Sequence, residues 1–460
     1  MLVVGFGFYK NLIMENSRRS FVKKSVMGTS VLSAGGVLPG FSASSYGRII
    51  GANNRIVISM MGVNSRGKAL AKNFSIQNDC EIAHICDVDA RAIVACTEAI
   101  RGRQSRVPEG FRDFRKSLES KDIDAMVIAA PDHWHAPASL LAMQAGKHVY
   151  VEKPCCHNPR EGEILVEAAK RFDKVIQMGN QRRSWPNVVH AIQELKSGAI
   201  GRVYFGKGWY TNNRGSIGIG KNAVVPSWLD WDLWQGPAPR KSFKDNFLQY
   251  NWHWFWHWGT GEALNNGTHM IDLLRWGMEV EFPIRLSSSG GKFRYRDDWE
   301  TPDTQVINLD FAEGVSMSWE GRSCNGKQIE NSSAGVMFYG DTGSLLIPSG
   351  NSYTVFDLEG KVVREVKEQY TIDPHDLSNP SEQIDALHIR NMFDAIKNGS
   401  PLNSGVDSGF KSTLLVQLGN ISQRVGRGLF LDPANGHILN DLEAERLWSR
   451  SYEKGWEMKL

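Results

Sequence analysis

Short apolar runs separated by polar turns fill the first half of the chain, at a spacing that predicts alternating strands and helices. Ala125 to Ala130 is one such run, long enough for a buried strand and too short for a helix. Pro131 ends it, and a polar group of Asp132, His133 and His135 follows. Leu140, Leu141 and Ala145 then share a helical face ahead of Gly146, and a second buried run, His148 to Val151, closes on Glu152-Lys153-Pro154. Strand, helix and strand in this order form a parallel crossover unit. Both polar groups therefore fall at carboxyl ends of strands, the edge where open α/β sheets bind ligands.

The pattern extends in both directions. Upstream, Arg55 to Met60 and Glu81 to Cys86 read as strands, with a helix over Lys68–Phe74 between them. Downstream, Asn158 as N-cap, Pro159 in the first turn and Glu161 three residues past the cap open a helix. Lys174 to Met178 follows as a last strand, and Pro186 to Lys196 as an amphipathic helix. Beyond it strand-like runs dominate: Val203–Trp209, Thr304–Phe311, Val315–Trp319, Val336–Tyr339, Ser344–Ile347 and Tyr353–Asp357, with turns at Glu313-Gly314, Gly340–Gly343 and Glu359-Gly360. Helical periodicity returns over Glu382–Lys397 and Asp407–Val425, stopped by Gly399 and Gly426. The predicted fold is α/β. It has an N-terminal Rossmann dinucleotide-binding domain over residues 54–182 and an α+β domain over residues 183–433 with a large, mainly antiparallel open sheet. A C-terminal extension covers residues 434–460, and the cleft lies between the two domains.

Length and composition agree with two globular domains: 460 residues, 41% hydrophobic and 22% charged. A net charge of +3, with no basic block beyond the N-terminus, argues against nucleic acid as the main partner. The six Cys show no C-x-x-C spacing, and the adjacent Cys155 and Cys156 are expected as free thiols, because a vicinal disulfide is strained. Residues 1–45 have another character. Ser17-Arg18-Arg19-Ser20-Phe21-Val22-Lys23-Lys24, an apolar segment from Val26 to Phe41 and the small residues Ser42–Ser45 together resemble a twin-arginine export signal, with Met14 as an alternative start. The apolar segment is too short and Gly-rich to remain as an anchor. The mature chain is thus expected in the periplasm or otherwise outside the cytoplasm, without an integral membrane span.

Candidate chemistry begins at Gly62-Val63-Asn64-Ser65-Arg66-Gly67, which matches G-x-G-x-x-G except that Asn64 replaces the middle Gly. Asn tolerates positive φ better than other non-Gly residues, so the turn is expected to survive. Asp87, ending the second strand, is placed to accept from an adenosine ribose and repel a 2′-phosphate, which favours NAD; Arg66 keeps NADP open. Trp is abundant, fifteen in all, and Asn251 to Trp258 alternates Trp with His or Phe. Such faces suit the C–H faces of a sugar ring, with imidazoles as hydrogen-bond partners. After Gly267, the residues His269, Asp272 and Trp276 are spaced for one face of a helix. His253, His257 and His269 lack metal-ligand spacing, so no metal is expected.

The Gly-rich turn with Asp87, Ala130-Pro131-Asp132-His133-Trp134-His135, Glu152-Lys153-Pro154 and Gly267-Thr268-His269-Met270-Ile271-Asp272 form a set. With it, the chain resembles the glucose–fructose oxidoreductase / inositol dehydrogenase superfamily (Gfo/Idh/MocA) from about Asn54 to Pro433. That resemblance implies an NAD(P)-dependent oxidoreductase with a carbohydrate substrate, associating as a homo-oligomer through the open face of the second-domain sheet. It implies cofactor contacts from Gly62, Asn64, Ser65, Arg66, Gly67, Asp87, Ala130, Pro131, His135, Glu152 and Lys153. Among these, Glu152 would meet the nicotinamide ribose and Lys153 would be the essential lysine beside the nicotinamide. His269 would face a substrate hydroxyl as the second catalytic residue, and Arg183, Trp252, His253, Trp256, His257, Asn265 and Asp272 would contact substrate. One position departs. Many relatives carry Asp four residues before the equivalent of His269, whereas this chain has Asn265, whose amide takes no proton at neutral pH. The base is then Lys153 or His269. Three activities stay open: oxidation of a hydroxyl on a sugar, cyclitol or glycoside; redox-neutral glycoside cleavage through transient oxidation by NAD; and non-enzymatic sensing of a sugar or cofactor.

Overall fold

The computed structural model describes residues 55–248, 250–368 and 380–460; the export signal expected over residues 1–45 lies outside the described residues. Residues 56–460 form one compact unit. Its first sheet holds six parallel strands among the described residues: β1 (Ile56–Met61), β2 (Cys80–Cys86), β3 (Glu109–Phe111), β4 (Ala125–Ile128), β5 (His148–Val151) and β6 (Ile176–Met178). They lie in the order β3-β2-β1-β4-β5-β6. The order reverses between β1 and β4, and a ligand crevice opens at the carboxyl ends of strands around such a switch point. Both faces are covered, which is why the central strands are apolar runs; β4 is buried throughout.

The connecting helices are α1 (Arg66–Ser75), α2 (Ala90–Ala99), α3 (Phe114–Leu118), α4 (Asp132–Gln144) and α5 (Pro159–Phe172). Asn158 caps α5 by accepting from Glu161 N at 3.2 Å, as its spacing predicts. Two local expectations change. Asp132, His133 and His135 are not a polar loop ahead of a helix: they form the buried first turn of α4, directly after Pro131. In the Gly-rich turn Gly62 alone takes positive φ, 79°, so Asn64 is not asked for the left-handed conformation. A Cβ on Gly62 would lie 2.5 Å from Ala130 N, and one on Gly67 would lie 1.9 Å from Gly62 O, so both are bound by close backbone approach.

The second domain continues with α6 (Pro186–Lys196), β7 (Val203–Thr211), α7 (Trp231–Gln235) and α8 (Thr268–Met278). Then come β8 (Arg285–Gly291), β9 (Thr304–Asp310), β10 (Ser316–Arg322), β11 (Ala334–Gly340), β12 (Gly343–Pro348), β13 (Tyr353–Phe356) and β14 (Val362–Val366). The chain ends with α9 (Pro380–Asn398), α10 (Val406–Val425), β15 (Leu429–Phe430) and α11 (Leu442–Glu445). The sheet order is β14-β13-β12-β11-β7-β10-β9-β8-β15, and the β7–β10 pair is parallel while the other neighbours are antiparallel. Gly206 and Gly208 on β7 let α8 pack closely, since a Cβ there would meet Leu274 at 2.8 Å and Met270 at 3.0 Å. On the opposite face Trp209, Met337 and Leu346 form a separate cluster edged by Tyr339 and Phe356.

Late chain completes the first domain. Ile389, Met392 and Phe393 of α9 join the core of β1, β2 and α1, with Phe393 against Phe74. The segment over residues 434–460 folds back onto the first domain, where Trp456 meets Trp134 edge-on at 5.0 Å and Arg450 pairs with Glu161 at 2.7 Å. Between β7 and α8 lies an insert with its own aromatic core of Trp231, Trp234, Phe243, Phe247, Phe255 and Trp258. The alternating stretch at its end is a 3-10 turn over Asn251–Trp254 rather than an extended segment, so its Trp and His side chains diverge.

Candidate active site

One cavity of about 680 Å³ runs from the Gly62 turn, past the carboxyl ends of β1, β2, β4 and β5, to the start of α8. Of the residues singled out by sequence, Gly62, Asn64, Ser65, Arg66, Asp87, Ala130, Pro131, His135, Glu152, Lys153, Trp252, His253, Asn265 and His269 line it. Gly67 sits behind the turn and serves its packing. Four residues expected at the substrate do not reach the wall. Arg183 Nε and Nη2 donate to Asp272 at 2.8 and 2.9 Å in a buried pair, and Ser412 Oγ also donates to Asp272. Trp256 lies under the Arg424 guanidinium, and His257 Nε2 meets the Pro239 carbonyl at 2.7 Å. For Trp256 and His257 the turn at Asn251–Trp254 accounts for this, since of the Trp and His residues in that stretch Trp252 and His253 are the ones that line the cavity.

The residues at the Gly62 end fit a dinucleotide. α1 begins at this turn, and its N-cap Ser65 makes no side-chain capping bond, which leaves first-turn N–H groups for a pyrophosphate. Asp87 accepts from Val63 N at 2.8 Å and from Asp89 N at 2.9 Å, so the same carboxylate that would bind a ribose also shapes the turn. Burial pushes its pKa up to about 6 against these hydrogen bonds.

At the other end His135 braces the two strand ends, one ring nitrogen against Ala130 O at 2.7 Å and the other against Pro154 O at 2.6 Å. Glu152 is buried, and Arg66 Nε donates to it at 2.7 Å while Arg66 Nη1 donates to Asp385 at 2.9 Å. Burial opposes ionisation of Glu152, but Arg66 and Lys153 outweigh it and hold the carboxyl below its ordinary range. Arg66 is thus engaged beside Lys153, away from Asp87. Lys153 Nζ donates to the backbone O of Asn265 and to its Oδ1, the latter at 3.0 Å. Burial lowers the lysine pKa, with Glu152 opposing. The amide of Asn265 is oriented by these bonds, and its Nδ2 donates to Tyr250 OH at 2.8 Å and to Glu262 at 3.2 Å. His269 Nδ1 is buried without a partner, and burial, reinforced by the Lys153 and Arg182 cations, keeps the ring far below its ordinary pKa. A neutral imidazole and an amine of lowered pKa on one cavity wall can move a proton to or from a hydroxyl.

Residues 56–180 match the family described as an oxidoreductase family with an NAD-binding Rossmann fold, GFO_IDH_MocA, and residues 219–430 match its C-terminal alpha/beta domain. The chain belongs to this Gfo/Idh/MocA oxidoreductase family. Its first domain therefore carries that family's NAD-binding Rossmann fold. A glycosyl hydrolase family 109 protein of Saccharopolyspora erythraea is 28% identical over 253 residues, covering 50% of this chain and 55% of that one. Glycosyl hydrolase family 109 protein 2 of Shewanella sp. (strain ANA-3) is 28% identical over 326 residues, covering 66% and 67%. The chain thus spans only about half to two thirds of these curated relatives. The solved structure of levoglucosan dehydrogenase in complex with NADH and L-sorbose has the same fold, with a TM-score of 0.64, 19% identity, and coverage of 82% of this chain and 99% of that one.

In this Gfo/Idh/MocA chain several cavity residues escape sequence reasoning. Tyr250 is held at φ 82°, rare for a bulky residue and a form of strain found at functional sites. Behind the wall, buried Glu262 pairs with Arg214 at 2.6 Å and accepts from the Asn265 amide, three residues further on, at 3.2 Å. Asp89, Arg91, Arg112 and Trp228 wall the Asp87 end, and no motif marks them. Among the described residues no group of His, Cys, Asp and Glu is arranged to hold a metal, and no helix is long and apolar enough to cross a membrane.

Proposed function

We propose that this chain is an exported NAD-dependent enzyme that oxidises a hydroxyl of a sugar, cyclitol or glycoside. The observation that carries the reading is the convergence of Lys153, His269 and the Asn265 amide on the cavity that begins at the Gly62 turn and Asp87. Nicotinamide, when bound, supplies a hydride acceptor. Lys153 Nζ, its pKa lowered by burial and its position fixed by Asn265, is suited to take the hydroxyl proton, and the neutral imidazole of His269 to hydrogen-bond the substrate oxygen as it becomes a carbonyl. Trp252, stacked on His253 with 3.5 Å between centroids, offers an indole face to a ring in the cavity, and His253 is held between Trp252 and Tyr250.

A second reading is redox-neutral glycoside cleavage, favoured by the glycosyl hydrolase family 109 names of the curated relatives. Transient oxidation acidifies the neighbouring C–H; a base removes that proton, the aglycone leaves with its bonding electrons, water adds, and hydride returns to the carbonyl carbon. A sensor without activity is the weakest reading, because Lys153 and His269 are kept in states suited to proton transfer. Purified holoprotein incubated with a panel of methyl and nitrophenyl glycosides in deuterated water separates them. Deuterium at a carbon beside the oxidised one without net NADH supports cleavage. NADH matching turnover supports the dehydrogenase, and neither signal with any sugar or cyclitol would refute both.

Export rests on Arg18-Arg19 and the small residues after Phe41. Protein from the native host should begin after about Ala43, and a cytoplasmic chain retaining Arg18-Arg19 would refute it. Self-association through the outer sheet face rests on the half-buried Phe205–Tyr339 stack on that face. Light scattering should give more than one protomer, and Phe205→Lys should reduce it to one.

A further inference from the structure

Beyond Asp87 the second domain contributes part of the cavity wall. Residues 226–235 of the aromatic insert cross the loop that follows β2. Ala90 N donates to Trp228 O at 3.3 Å, Asp230 N donates to Val88 O at 3.1 Å, and Asp89 pairs with Leu229 in an isolated antiparallel bridge. This strap is anchored from behind. Trp231 stacks on Trp234 at 4.9 Å, and Trp258 packs against both. The Trp234 carbonyl faces the ring nitrogens of His133 and Trp134 on α4, at 3.0 Å each. On the cavity side the Arg91 guanidinium lies 3.4 Å from the centroid of Trp228 while its Nε and Nη2 donate to Asp89. Trp228, Leu229 and Arg91 all line the cavity at the end where Asp87 stands.

We propose that Trp228, contributed by the second domain and backed by Arg91, is a cofactor-binding residue that walls in the adenosine half of the dinucleotide, so that NAD is retained between turnovers. The ribose-binding carboxylate and the Gly62 turn fix which end of the cavity takes adenosine, and the wall there is an aromatic face beside a guanidinium, a surface on which a purine stacks. Asp87 belongs to the first domain and Trp228 to the second, and backbone hydrogen bonds join the two segments. The strap thereby holds Trp228 in place, and loss of its stack on the base sets the rate of release. Retention holds whichever hydroxyl reacts, so this inference goes beyond the proposed activity.

The test follows dissociation of etheno-NAD from the loaded full-length protein after addition of excess NAD, read by fluorescence and requiring no substrate. The unmutated protein should release slowly. Trp228→Ala should release at least about tenfold faster, the usual worth of one aromatic stack on a base. Arg91→Ala should release several-fold faster, and Trp228→Phe should stay near the unmutated rate. Arg91 is largely exposed, so its variant does not threaten the fold and keeps the test valid if Trp228→Ala is unstable. Release rates within twofold of the unmutated protein in both Ala variants would overturn the proposal, as would release from the unmutated protein faster than mixing.

Discussion

The two ends of the cavity are held by different means. At the Lys153 end every charge is locked by a neighbour: Arg66 between Glu152 and Asp385, Arg214 on Glu262, and Lys153 on the Asn265 amide. At the Asp87 end the carboxylate is held by backbone N–H groups, and the wall is a guanidinium on an indole. The difference matches the work proposed for each end. Proton transfer needs fixed geometry and pKa values set by burial, and buried charges are tolerated only when fully paired. Recognition of an adenosine needs a shaped wall and one carboxylate, which a loop and a strap provide. Breaking a group at one end should therefore alter chemistry without altering cofactor affinity, and the reverse at the other.

The largest effect expected is at Lys153. Lys153→Ala should lower kcat by roughly 10²–10⁴ on whichever sugar the panel identifies, the usual worth of a positioned proton-transfer group. NAD affinity, read by fluorescence titration, should change little. His269→Ala should act likewise, and the double variant should lose less than the product of the single losses, because both serve one step. Full activity in Lys153→Ala would end the comparison at its first term.

Next is the buried pair behind the cavity. Arg183→Met leaves Asp272 charged in the interior with Ser412 as its remaining hydrogen-bond donor, and should cost about 3 kcal/mol of stability in a denaturant melt. NAD affinity should be unchanged. If Arg183→Met instead raised KM with stability intact, Arg183 would be a substrate contact and the cavity boundary would need redrawing.

What sequence made legible follows from how each part is built. The strand ends carrying Asp87, Ala130–His135 and Glu152–Pro154 could be read because buried strands are apolar runs, and the polar residue that ends a run marks the sheet edge. His269 was legible through its glycine-led segment. Polar or exposed strands escaped: β8 reads Arg-Leu-Ser-Ser-Ser-Gly-Gly, and most of β14 is solvent-exposed. The aromatic insert escaped too, because its side chains pack into an irregular cluster with no period. Hence Trp256 and His257, indistinguishable in sequence from Trp252 and His253, point elsewhere. Trp228 and Tyr250 were invisible for the same reason. Asp272 shares its helix face with Trp276 as the spacing predicts, but past His269, which lines the cavity, that face meets Arg183 instead.

At the Asp87 end the expected effects are smaller. Asp87→Ala should narrow the preference for NAD over NADP by about 1–2 kcal/mol, the worth of a charge-assisted bond to the ribose. Fluorescence titration of stripped protein with each dinucleotide measures it, and equal affinities in the unmutated protein would count decisively against Asp87 as the selector.

The mildest and most diagnostic signal is pH. Burial raises the Asp87 pKa to about 6 in the cofactor-free protein, so its proton is held more tightly when folded than when unfolded. Its contribution to stability is therefore full below the ordinary carboxylate pKa and is lost as pH rises through about 6. A ribose that donates hydroxyls to Asp87 favours the ionised form, so NAD binding and protonation compete. The dissociation constant for NAD should be flat above about pH 7 and rise below pH 6 by up to roughly tenfold per unit, the limit for one linked proton. NAD should correspondingly offset the stability lost near neutral pH. Asp87→Asn should bind more weakly and show no such bend, while Lys153→Ala should keep it, because the titrating group lies at the other end of the cavity. A bend that survives Asp87→Asn would assign the proton to another group and remove the carboxylate from adenosine recognition.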